Sequence, residues 1–495
     1  MTTMYSWGGG SHGQLGHGSK EDSSKPKQVS QPLTVVGCAH FHSIGLTAKG
    51  ETYSWGRGAL GLLGHGDEEG CDAPKRIDAL ADTKVVAIGC GAYHSAAVTQ
   101  EGTVLTWGWT LLWADGRVEE SYFLRPAPMS GLDKIHVSGV ACGCYATAAW
   151  SADGKVFTWG RGSTGQLGHG SVDDELMPRQ VKAMGGTSVV QAAMGGMQGN
   201  AFMLLRTTDG RVYSCGAMDR GRLGRAAVST PAPGAPAVGD VPPHSLPGPV
   251  VLGGATDGGP LAAFAVAVAA ADHHAAAVGQ TGLLFTWGSN EFGRLGLPGV
   301  EQANAPKLVE ALSDVKVVGV ACSAYSTAVA VGNGTVFTMG GRLHGTPTPK
   351  PLTLPDVAAS VTGGGYHLAA LVGTPPAALK PGTATLGTAA ELPEVLRGVV
   401  SDELVELLLA DCKGAPALQL RHEIHLLREL LAAEQRKLDA LSPEALQHAQ
   451  AKLSSSAGLR PGVSDASDAW TEQQYQAFAR KTAVGDHAFG KVVYA

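Results

Sequence analysis

The chain has 495 residues, 44% of them hydrophobic and 16% charged, and a formal net charge of −6 at pH 7. That is a globular composition, and with acids and bases near balance on both sides of Val372 neither part carries the basic footprint of a nucleic-acid binder. Eight cysteines in so long a chain do not make a disulfide framework, the longest apolar run, near Leu261, is too short to span a bilayer, and no leader pattern precedes Met4; the expectation is a reduced, cytoplasmic protein without a membrane span.

In chain order, the first element is a strand, Met4-Tyr5-Ser6-Trp7, followed by Gly8. The Trp-Gly pair returns at Trp55, Trp107, Trp159 and Trp287, and Cys215 and Met339 fill the same slot in two further copies. The period is roughly 50 residues, in the range of propeller repeats. Five residues before each later Trp slot stands a glycine, as in Asp153-Gly154, Asp209-Gly210 and Asn333-Gly334, dipeptides that predict two-residue type I′ hairpins. Lys155-Val156-Phe157-Thr158-Trp159 alternates like a half-buried strand, and a small-residue strand such as Ala87 to Val98 precedes the turn. Gly-x-Leu-Gly follows the Trp slot at Gly13, Gly61, Gly165, Gly221 and Gly293. A proline comes next (Pro26, Pro74, Pro126, Pro178, Pro306), and the residues after it predict an outer edge strand.

Four short strands per repeat make one propeller blade. The chain starts on a second hairpin strand and leaves the array on a first hairpin strand, Tyr366 to Val372. Seven second strands against six covalent hairpins predict a seven-bladed ring sealed by the N-terminal strand beside Leu368–Val372.

The repeated sentence Val-Phe-Thr-Trp-Gly, Gly-Gln-Leu-Gly-His-Gly, Pro-Arg-Gln-Val, read with the Cys-Gly-x-x-His-Ser pattern, resembles the repeat of the regulator of chromosome condensation family over residues 4–372. The resemblance implies an all-β, seven-bladed propeller of four-stranded antiparallel blades. It implies function less firmly, because propellers host many functions.

Three places depart from the pattern. After Trp107, Gly-x-Leu-Gly gives way to Trp109 through Arg117, expected to be a loop; Trp109, Trp113 and Arg117 are candidate partner contacts, since Trp and Arg are favoured interface anchors. Local packing of that loop is the other reading. The copy after Cys215 carries extra Pro-, Ala- and Gly-rich chain between Pro231 and Pro260, expected to be a surface loop. The last copy is shortened after Met339-Gly340.

The chain has no phosphate-binding loop and no His-Glu-x-x-His. His42, His94, His274 and His367 share one column, and Cys38, Cys90, Cys142 and Cys322 another; one residue per blade does not converge four ligands on a metal. His17, His65 and His169 read as loop residues. His94-Ser95 are adjacent strand residues on opposite faces and form no nucleophile–base pair. No catalytic residue, cofactor or metal is assigned.

Beyond Val372, residues 373–393 read as a linker and 394–495 as a helical tail. Leu420, Ile424, Leu427 and Leu431 form a seam at heptad-like spacing. A short coiled coil that binds a partner and helices packed locally are both consistent with it. Two functions fit the whole: a non-catalytic interaction scaffold docking in a larger assembly, for which relatives with ciliary roles suggest an axonemal complex, and guanine-nucleotide exchange on a small GTPase, the activity of the family's founding member. The exchange residues have no counterpart that the repeat motifs identify. A light sensor is disfavoured, because the Gly-Trp-Arg-His-Thr repeat of the family's photoreceptor is missing.

Overall fold

In the fourth repeat, Ala146–Ser151 and Val156–Gly160 pair antiparallel, with Thr147 opposite Trp159 and Ala149 opposite Phe157. Gly154 N–H closes the turn on Ser151 O at 2.9 Å. Gly154 alone of the turn residues has positive φ, +81°. This corrects the type I′ expectation: the connection has three residues and ends on a left-handed glycine. The Asp or Asn before the glycine serves by its side chain instead, as where Asn333 Oδ1 accepts the Thr335 N–H at 2.9 Å.

The outer strands also differ from expectation. They begin before the proline, at Ser23–Val29, Cys71–Arg76, Glu175–Gln180 and Gln302–Leu308. Pro26 lies between Ser23, opposite Gly8, and Lys27, opposite Ser6, where the register shifts. The missing N–H therefore falls at an irregularity on the free edge.

The protein is described from a computed structural model, over residues 2–114, 117–197, 199–225, 244–253, 264–341 and 346–373, excluding the side chains of 112–119. The expected tail with Leu420, Ile424, Leu427 and Leu431, and most of the expected loop after Cys215, lie outside the described residues. The propeller belongs to the unit Met1–Gly254 with Ala262–Thr383. Its strands form seven four-stranded sheets. We number blades by the Trp slot: Trp7 (blade 1), Trp55 (2), Trp107 (3), Trp159 (4), Cys215 (5), Trp287 (6) and Met339 (7).

Blade 1 combines the two ends of the propeller. Thr3–Gly8 lies between Ser23–Val29 and His367–Val372, pairing Thr3 with Val372, Tyr5 with Ala370 and Gly8 with His367. The predicted seal is present in the predicted register region.

The Gly-x-Leu-Gly loops join neighbouring blades. Within a blade, the Leu carbonyl accepts a strand hydroxyl, Ser54 Oγ to Leu63 O at 2.7 Å and Thr286 Oγ1 to Leu295 O at 2.8 Å. The carbonyl of residue x serves the next blade. Gln14 O accepts Trp55 Nε1, Leu62 O accepts Trp107 Nε1 and Arg222 O accepts Trp287 Nε1, each at 2.9 Å. Trp55, Trp107 and Trp287 are buried to 0–1% exposure, whereas Trp7 and Trp159, which follow the two blades lacking the loop, are 7% exposed. His65 and His169 are more than loop residues: their Nε2 atoms contact Ser54 Oγ (3.2 Å) and Thr158 Oγ1 (2.9 Å), as His17 contacts Ser6 Oγ (2.8 Å).

Candidate functional site

The ring has two faces. Hairpin turns occupy one. The other, the loop face, gathers the segment before each second strand and the segment after each Trp-Gly, because those strand ends are paired: His42 lies opposite Gly56, and Arg57 N–H donates to Phe41 O at 2.9 Å. Gly56 permits this approach: its φ is +113°, and a Cβ there would lie 2.5 Å from Phe41 O.

The residue before the histidine column is aromatic in five blades: Phe41, Tyr93, Tyr145, Tyr325 and Tyr366. They form an arc across the loop face. Tyr93 stacks on Tyr145 at 4.7 Å, and Phe41 bridges Tyr93 (6.2 Å) and Tyr366 (6.0 Å). Tyr325 stacks near Tyr366 at 5.9 Å and meets the exposed Phe292 at 5.3 Å. Cations lie on the same rings: Arg57 over Phe41 (5.4 Å), Arg161 over Tyr145 (4.6 Å) and Arg294 over Phe292 (5.5 Å). Sequence reading missed this column by following the tryptophans; its signal was an aromatic beside nearly every column histidine.

Trp109 occupies the slot after Trp-Gly that Arg57 and Arg161 fill in blades 2 and 4. It is 9% exposed, its edge meets Tyr145 at 4.7 Å, and its Nε1 donates to Glu120 Oε2 at 3.2 Å. The expected loop around it is a long hairpin, Val104–Ala114 with Arg117–Pro128, pairing Trp109 with Tyr122 and Trp113 with Val118. Alternating large side chains favoured strand continuation. Among the described side chains of this hairpin, Tyr122 (44%) and Phe123 (36%) are exposed aromatics. The side chains of Trp113 and Arg117 lie outside the described residues; Arg117 pairs with Ala114 by backbone. Of the candidate contacts, the structure brings Trp109 to the aromatic arc.

At the centre, His40 Nε2 reaches across the ring to Asp272 Oδ1 and Oδ2 at 3.0 and 3.1 Å. Burial pushes the Asp272 carboxyl up, but the hydrogen bond from His40 and the fields of His40, His273 and Arg294 outweigh it and hold the carboxyl below its usual value. Glycine makes room for the crossing, since a Cβ on Gly365 would overlap the His40 ring. The inner strands line a channel cavity of about 360 Å³, with Cys38, Cys90, Cys142 and Cys322 in its wall. Burial pushes the Cys38, Cys142 and Cys322 thiols to about 12, so they stay protonated and weakly nucleophilic at neutral pH.

The histidine column acts between blades. His42 Nε2 meets Ser95 Oγ at 2.8 Å, and His94 meets Thr147, His274 meets Thr327 and His367 meets Ser43, each at 2.7 Å. Ser95, Ser43 and Thr327 donate their own protons to Leu62 O, Gln14 O and Arg294 O, so the imidazole Nε2–H is the donor to each. Each ring's Nδ1 is buried without a partner among the described residues. Burial lowers His42 and His367 to about 3 and His94 to about 4, with neighbouring histidines adding to the effect at His42 and His367. These are neutral structural groups, and at His42, His274 and His367 the hydroxyl they face is already committed to a carbonyl. Among the described residues no cluster of His, Cys, Asp or Glu is placed to hold a metal, and no helix is long and apolar enough to cross a membrane.

The regulator of chromosome condensation (RCC1) repeat model matches residues 3–46, 49–98, 153–199 and 281–330. The chain is 31% identical over 314 residues to the ultraviolet-B receptor UVR8 of Arabidopsis thaliana, covering 63% of this chain and 66% of the receptor. It is 30% identical over 227 residues to the human E3 ubiquitin-protein ligase HERC2, covering 45% of this chain and 5% of the ligase. The chain thus spans about two thirds of the plant receptor's length and a small fraction of the ligase's. Human WBSCR16 superposes with a TM-score of 0.62 at 19% identity, over 75% of this chain and 100% of that one. Prp20p of Saccharomyces cerevisiae gives 0.62 at 19%, over 75% and 91%. These two likenesses concern the fold.

Proposed function

Because the chain is a seven-bladed propeller of RCC1 repeats, we propose that it is a non-catalytic protein-docking module whose loop face receives a partner within a larger assembly. The aromatic arc from Phe292 through Tyr325, Tyr366, Phe41, Tyr93 and Tyr145 carries this reading. Tyr and Phe gathered on one face, with guanidinium groups stacked on them, are the composition of interface centres. Trp109 extends the arc through its edge contact with Tyr145. The segment with Leu420, Ile424, Leu427 and Leu431 offers a second contact, and an axonemal complex is one assembly such a two-part protein would suit.

Proximity labelling in ciliated cells, followed by pull-down with purified chain, identifies the partner. Phe41→Ala with Tyr93→Ala should reduce its recovery about tenfold or more without unfolding the ring. Unchanged recovery overturns the docking reading. Guanine-nucleotide exchange is the competing reading: release of labelled nucleotide from a panel of small GTPases, accelerated by catalytic amounts of chain, would replace docking with exchange.

A further inference from the structure

The loop face is not uniform around the ring. In blades 5 and 6 its charges close on one another: Asp219 pairs with the buried Arg222 at 2.6 Å, and Glu291 meets Arg294 at 3.3 Å and Arg220 at 3.6 Å. In blades 1, 2 and 4 the rim carries Glu21, Glu68, Glu69 and Asp173, all exposed and without an ion pair among the described residues. Backbone N–H groups hold their neighbours in place: Asp22 Oδ1 accepts Gly10 N–H and Asp174 Oδ1 accepts Gly162 N–H, each at 2.8 Å. Glu68 Oε1 likewise accepts Leu60 N–H at 2.8 Å. In this sector Arg161 pairs with Glu120, and Glu21, Glu68, Glu69 and Asp173 remain outside any ion pair among the described residues. The turn face differs, since Asp153 pairs with Lys155 at 2.7 Å and Asp209 with Arg211 at 3.3 Å.

The backbone of Glu21, Glu69 and Asp173 packs against Gly10, Gly58 and Gly162, just after the Trp-Gly pairs, which puts these acids on the face that carries Phe41, Tyr93 and Tyr145. The protein itself shows what such rings accept: a guanidinium lies on this face over Phe41, Tyr145 and Phe292. Carboxylates attract cations at long range, and aromatic faces hold them at contact. From this sector we infer that the loop face of blades 1–4 binds an arginine-rich segment of a partner protein. The inference rests on the docking reading above and names the partner's chemistry.

The probe is a labelled twelve-residue peptide alternating Arg and Gly, with a Glu/Gly peptide as counterpart, titrated against the full chain by fluorescence anisotropy. The Arg/Gly peptide should bind and the Glu/Gly peptide should not. Raising salt from about 50 to about 300 mM should weaken binding about tenfold. The triple variant Glu68→Lys, Glu69→Lys, Asp173→Lys should weaken it about tenfold or more, whereas Glu101→Lys, Asp153→Lys, Asp209→Lys on the turn face should leave it within about twofold. Thermal melting of both variants checks that the ring is intact. Equal losses from the two triple variants, or equal binding of the two peptides, overturns the inference. If the rim variant keeps full recovery of the partner identified by labelling while Phe41→Ala with Tyr93→Ala loses it, the docking reading stands and the arginine-rich partner falls.

Discussion

Four blade junctions carry a histidine–hydroxyl bond and three do not. Where the histidine slot of one blade holds Ala146, Phe202 or Ser326, the hydroxyl slot of the next holds Met203, Ala275 or Leu368. Histidine and hydroxyl are therefore present together or missing together at every junction. The physical reason is an asymmetry of buried hydrogen bonds. A made pair contributes about 1 kcal/mol, but a lone buried donor loses its water and costs about 1–3 kcal/mol. Two apolar replacements avoid that penalty. The unclasped junctions use other ties: between blades 5 and 6, Gln191 Nε2 donates to Val268 O at 3.0 Å and Arg222 Nη1 to Asp272 O at 3.4 Å.

Acid should separate the two kinds of junction most strongly. His42, His94 and His367 titrate in the folded ring below their ordinary value of 6.5, at about 3, 4 and 3. Between those values and 6.5 the unfolded chain binds more protons than the folded one. Their contribution is therefore complete above about pH 6.5 and is lost progressively as pH falls through about 4 for His94 and about 3 for His42 and His367. The combined loss should reach several kcal/mol, read by denaturant unfolding at pH 7.5 and 4.5. A chain with His94→Phe and Thr147→Val should show a shallower pH slope; an unchanged slope would mean the column does not titrate as described.

Tryptophan truncation comes next. Trp55→Ala removes a fully buried indole together with its bond to Gln14 O, and should cost about 3–5 kcal/mol plus about 1 kcal/mol for the lost bond. Trp159 follows the blade without Gly-x-Leu-Gly, so Trp159→Ala should fall at the lower end of that range. Equal melting shifts for the two would show that the loop carbonyl contributes little.

The smallest effect is the coupling within one pair. His94→Phe and Thr147→Val should each destabilise, and the double variant should be less destabilised than the sum by about 1–3 kcal/mol. Strict additivity in the double-mutant cycle would break the pairing rule.

Strand content and closure were legible in the sequence because hairpin glycines mark the turns and Thr3–Gly8 is a second strand without a first. Two local readings failed for different reasons. The turns at Asp153-Gly154 are three residues long because the acid's side chain, and not its own positive φ, shapes the loop. The Trp109 segment continues as strand because large residues alternate along it, and its backbone pairs Trp109 with Tyr122 and Trp113 with Val118. Of the candidate site, Trp109 was found as an anomaly, but the arc it supports was not. The clasps escaped detection because their partners stand 53 residues apart in successive copies. Only an offset comparison, each histidine slot against the next repeat's hydroxyl slot, reveals that they come and go together.

Closure by Thr3–Gly8 also sets an order of events during synthesis. The strand leaves the ribosome before every other described strand of the ring, and its partner His367–Val372 comes last among them. At about 5–20 residues per second, Met4 and Trp7 wait tens of seconds for the surface that buries them. Six blades can assemble meanwhile as an open arc whose two ends each present an unfinished face. The N-terminal strand is thus exposed to chaperones and to neighbouring nascent chains for longer than any other strand of the ring, and a partner strand supplied by a second copy would compete with the chain's own end for the same edge.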